Sequence, residues 1–97
     1  MNKQNIITDD KLDKYFAITK EAMDMAKDAF DEERLEQAKD FFNMISCYYS
    51  DAGHFREKGE YVLAYGALNY AHGWLDAGAR SKIFKVNDSR LFTVDEE

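Results

Sequence analysis

The chain has 97 residues, 45% of them hydrophobic, with no proline and a formal net charge of −6. That is one domain, spanning 1–97, with apolar surface for a single core, and its acidity argues against a general nucleic-acid binder. One cysteine, Cys47, excludes an internal disulfide and fits a reducing, cytoplasmic setting. The polar first ten residues do not read as a secretory leader. The longest stretch free of Asp, Glu, Lys and Arg, 61–75, is too short to cross a membrane.

The first helix is predicted over 9–30. Thr8 is a good N-cap, and Asp9 and Asp10 face the positive end of the helix dipole. Ile7 and Leu12 have the spacing of a hydrophobic staple. Leu12, Phe16, Thr19, Met23, Ala26 and Phe30 form one apolar seam, and Tyr15, Ile18, Ala22, Met25 and Ala29 form a second beside it. Two seams suit a helix that touches two neighbours. Leu35 and Ala38 continue neither seam, which places a turn near 31–34 with Asp31 as the next N-cap. No glycine marks that turn, so one bent helix satisfies the pattern too.

The second helix is predicted over 32–58 and carries Leu35, Ala38, Phe41, Phe42, Ile45, Tyr48, Tyr49, Ala52 and Phe55 at helical spacing. Lys58-Gly59 ends it, and the third helix, 60–80, opens at once, so the two form an antiparallel hairpin. The third helix is apolar on opposite sides. Tyr61, Ala64, Leu68, Ala71, Leu75 and Ala79 make one face, and Leu63, Ala67, Tyr70 and Trp74 mark the other. A bare three-helix core needs only the first of these, so something must cover the second.

The C-terminal extension, 81–97, offers one cover. Residues 83–86 and 91–94 are β-prone runs around Asn-Asp-Ser-Arg, and Phe84, Val86, Phe92 and Val94 would share a side in a small β-hairpin packed on the helices. Residues 95–97 read as a frayed acidic end. The fold class is therefore all-α, a three-helix bundle with a short extension.

The stretch YYSDAGHFREKGEYVLAYGALNYAHGWLDAGAR (48–80), followed by IFKV and LFTVDEE, resembles the archaeal family called domain of unknown function 357, over 35–97 more strongly than over the first helix. The resemblance implies a spectrin-repeat-like bundle in a cytosolic protein and implies no activity. The chain departs from the family at Ser81-Lys82, where a Leu-Gly step is expected.

Two surfaces are candidates for function. Asn69, His72 and Asp76, with Arg80, sit at three- and four-residue spacing on the third helix and could form a polar cluster that binds a small ligand or serves acid–base chemistry. The plainer reading is a structural hydrogen-bond network. The second surface is the outer apolar face of the third helix: Leu63, Gly66, Tyr70, Gly73 and Trp74, flanked by Ala67 and Ala77. Aromatics beside glycines are interface material, unless the extension covers them.

Other chemistries fare worse. Asp51, His54, His72 and Asp76 resemble a bundle metal set, but hairpin register offsets the two histidines by roughly 10 Å at ~1.5 Å per residue. A helical ribonuclease of the HEPN type needs an arginine shortly before a histidine, and neither His54 nor His72 has one. Arg80, Lys82, Lys85 and Arg90, less Asp88, give 80–90 a net +3, which reads as a solvated helix end sooner than an RNA contact. The expectation is a non-enzymatic interaction or scaffold module acting through the outer face of the third helix on a protein partner, a homodimer included. No metal, cofactor, membrane or nucleic acid is expected.

Overall fold

The computed structural model describes residues 6–93. Three helices, α1 (Asp9–Ala26), α2 (Leu35–Glu57) and α3 (Tyr61–Arg80), run up, down and up. A 3₁₀ turn, Glu32–Arg34, joins α1 to α2. The architecture is an all-α three-helix bundle. α2 and α3 pack together most extensively, and α1 lies chiefly against α3.

Local chemistry sets each boundary. The Thr8 hydroxyl accepts the Lys11 N–H at 3.1 Å, and Ile7 packs in the same cluster as Leu12, so cap and staple both form. Asp31 caps the 3₁₀ turn by accepting the Glu33 N–H at 3.1 Å, which makes α1 and α2 separate helices. α2 ends in a Schellman turn. Glu60 N–H reaches Phe55 O and Gly59 N–H reaches Arg56 O, each at 2.9 Å, while Gly59 sits at φ 77.

α1 stops at Ala26, four residues short of the range expected from its seam. Phe30 leaves the helix because its backbone is used elsewhere. It forms an isolated antiparallel bridge with Phe84, closed by Lys85 N–H to Ala29 O at 2.7 Å and Asp31 N–H to Ile83 O at 2.8 Å. The β-prone run at 83–86 therefore pairs with the α1–α2 connection. It does not pair with 91–94 as a hairpin would require, and no strand forms among the described residues. Residues 91 and 92 turn back instead, with both N–H groups bonded to Asp88 O. Val94 and the acidic end at 95–97 lie outside the described residues.

The extension caps one end of the core. Phe84 is fully buried, with Phe30 and Phe42 rings 5.7 and 6.5 Å from its own. Burying a ring of this size stabilises by roughly 1.5–3 kcal/mol. At the opposite end, the three helix termini are tied by polar contacts that the apolar pattern did not disclose. Tyr61 donates to Asp9 Oδ1 at 2.6 Å, and Arg56 reaches Asp13 at 2.6 Å and Asp9 at 3.3 Å. The Tyr61 hydroxyl, and then the Arg56 guanidinium, hold the Asp9 carboxyl below its ordinary range.

α3 ends where Lys82 takes φ 65, a left-handed conformation in which glycine is free and lysine is strained. This is the position at which the family resemblance anticipates glycine. Among the described residues, no buried side-chain nitrogen or oxygen lacks a partner.

Candidate functional site

α3 presents an inner face, two flanks and an outward crest. Ala64, Leu68, Ala71, Leu75 and Ala79 form the buried inner face. One flank leans on α2: Tyr70 stacks on Tyr48 at 5.3 Å, and Trp74 meets Phe41 edge-on at 4.9 Å. The other flank carries His72 and Asp76. Between the flanks, about a helical repeat apart, lie Val62, Gly66, Gly73 and Ala77.

The two sequence-derived clusters fall on different sides of this crest. His72 and Asp76 face the extension. The His72 Nε2 lies 2.5 Å from Leu91 O, and because a carbonyl only accepts, that nitrogen carries the proton. Asp76 Oδ1 accepts the Thr93 N–H at 2.8 Å. The two side chains are 3.9 Å apart and do not hydrogen-bond each other. With Arg80, Ser89 and Arg90 they border a polar hollow of about 420 Å³. Asn69 is not in it. Asn69 is exposed and lies with the apolar residues of the crest.

Gly66, Tyr70, Gly73 and Trp74 all line one open groove of about 570 Å³. Phe41 of α2, Asn69 and Ala77 complete it. Leu63 is 51% exposed just beyond the lining, and Ala67 is turned into the core. The lining is almost wholly apolar and carries no charged side chain. A Cβ at Gly66 or Gly73 would meet nothing within 4 Å, whereas one at Gly78 would collide with the Phe84 ring. The described part of the extension thus occupies the His72 flank and leaves the groove uncovered.

Two groove residues needed the structure to find them. Phe41 reads as core in the sequence, and its role depends on the hairpin register that sets it against Trp74. Asn69 shares helical spacing with His72 and Asp76, yet it lies nearer the crest than they do and borders the groove, outside the polar hollow. One turn before it, Tyr65 packs on Tyr15 of α1, and the Asn69 amide opposes the rise that the Tyr15 hydroxyl and burial impose on the Tyr65 phenol.

Lys85 and Arg90, two of the cations at 80–90, are engaged within the chain. Arg90 reaches Glu21 at 2.5 Å and Asp88 at 3.5 Å, and Lys85 lies 3.8 Å from Asp31. The Arg90 contact holds the Glu21 carboxyl below its ordinary value. His54 and Asp51 are exposed on α2. Among the described residues no group of three or more His, Cys, Asp or Glu is placed to hold a metal. Among the described residues no helix is long and apolar enough to cross a membrane.

Together these features define a small three-helix domain with a strapped polar flank and an open apolar groove. A family model described as protein of unknown function (DUF357) matches residues 14–84, and the chain belongs to that family. The match takes in most of α1 and ends at Phe84, the ring that packs against Gly78. Comparisons with curated proteins and with solved structures returned no match.

Proposed function

We propose that this protein is a non-enzymatic docking module whose working surface is the α3 groove. The observation that carries the reading is the pair of glycines inside α3. A helix-interior glycine costs roughly 0.5–1 kcal/mol relative to alanine, and nothing among the described residues touches the space that Gly66 and Gly73 leave open. Three aromatic side chains beside that space, with one amide, have the composition of an interface core. The polar flank supports the same reading from the other side, since the hydrogen bonds of His72 and Asp76 run to the main chain of the extension. The free, exposed Cys47 supports a reducing, cytoplasmic setting.

A photo-crosslinking side chain placed at position 73 tests this against the same group at His54, which is exposed on α2. In cells, position 73 should give a discrete protein adduct that position 54 does not. Equal labelling from both positions, or none from either, overturns the reading.

A further inference from the structure

We infer that the occupant of the groove is a second copy of this chain, with its α3 lying antiparallel on the first across a two-fold axis between Asn69 and Tyr70. The inference rests on the docking reading and names its partner.

Each chain carries a net −6, so two copies repel wherever their acidic surfaces meet. Residues 61–75 contain no Asp, Glu, Lys or Arg, and no charged side chain lines the groove. On this face two copies approach without setting like charges against each other.

The face is also self-complementary, as a two-fold interface demands. An axis midway between Gly66 and Gly73 sets each glycine against the other glycine of the second copy. The backbones then approach closely, which is what glycine at a helix crossing permits. The same axis brings Val62 opposite Ala77 and places the two Asn69 side chains next to the centre. An amide both donates and accepts, so it can pair with its own copy, as no charged group can. A polar residue of this kind within a helix pair fixes register.

Area sets the strength. The crest from Val62 to Ala77 is about 23 Å long at ~1.5 Å per residue. One helix crossing of that length, with the Tyr70 and Trp74 rings beside it, falls below the ~1,200 Å² where standard interfaces begin. The dimer is therefore reversible on dilution.

The test is sedimentation of the full chain from micromolar to millimolar concentration. The mass should move from monomer to dimer across that range. Asn69→Asp, an isosteric change at an exposed position, sets two carboxylates near the axis and should weaken the dimer at neutral pH by roughly tenfold or more. Far-UV circular dichroism should show its helix content unchanged. Gly73→Glu should act in the same direction, and Ser50→Asp on exposed α2 should have no effect. In a Cys47→Ser background, Gly66→Cys mixed with Gly73→Cys should give the crossed disulfide in preference to either self-pair. A Gly66→Cys self-pair as the main product overturns the antiparallel arrangement. A monomer at millimolar concentration overturns the dimer, as does a dimer that tolerates both Asn69→Asp and Gly73→Glu. If the monomeric protein still yields a specific adduct to a different protein from position 73, the second copy is wrong and the docking reading survives. No dimer and no adduct sinks both.

Discussion

Gly73 and Gly78 stand little more than one turn apart on α3, and their surroundings differ completely. At Gly78 a methyl group would strike the Phe84 ring, while at Gly73 it would enter empty space. The first glycine has its explanation inside the chain, where the extension needs that room to seat Phe84. The second has none there. The contrast separates two uses of one helix: a flank built to be closed by the chain's own tail, and a crest built without regard to anything the chain itself supplies.

Breaking the closed side should have the largest effect. Phe84→Ala removes a fully buried ring and should cost about 3–5 kcal/mol. At ~4–8 °C per kcal/mol for a domain of this size, thermal unfolding should fall by about 12 °C or more. Gly78→Ala should also destabilise, by ~1–3 kcal/mol, because a packed aromatic ring has nowhere to move. That sign opposes the general preference of helices for alanine. If Gly78→Ala leaves the melting temperature unchanged, Phe84 does not need that space and the comparison loses one side.

The helices were legible in the sequence because apolar phase, caps and the Gly59 turn all pointed the same way. Thr8 and Lys58-Gly59 each mark a helix end that the structure keeps to within a residue, whereas Asp31 caps the 3₁₀ turn and α2 starts three residues later than the expected 32, at Leu35. The end of α1 was not legible. Phe30 fits the seam, and only its pairing with Phe84, far along the chain, takes it out of the helix. The extension misled for the same reason: two β-prone runs close in sequence suggest each other as partners, yet the better partner for 83–86 was the α1–α2 connection. The groove was half legible. Gly66, Tyr70, Gly73 and Trp74 could be grouped from their spacing on one helix. Phe41 required the register between two helices, and Asn69 required knowing how far toward the crest the tail would reach.

The open side gives the opposite sign and a smaller effect. Gly66→Ala and Gly73→Ala should each stabilise the monomer by roughly 0.5–1 kcal/mol, since the added methyl meets nothing and the unfolded chain loses freedom. Chemical denaturation at low protein concentration, where association does not contribute, is the appropriate measurement. Destabilisation by either alanine would mean that the crest is packed in solution even in the monomer, and the contrast with Gly78 would collapse.

The smallest effect belongs at the junction between the two surfaces. Lys82 holds φ 65 at the residue that ends α3 and starts the extension. A side chain in that conformation costs roughly 1–2 kcal/mol, which glycine avoids. Part of that gain is returned because glycine frees the unfolded chain, so Lys82→Gly should stabilise by only about 0.5–1 kcal/mol. The substitution touches neither the groove nor the hydrogen bonds of His72 and Asp76. It should therefore raise the melting temperature and leave self-association unchanged. If it altered association, the crest would be coupled to the strap through the end of α3, and the two surfaces would be one device.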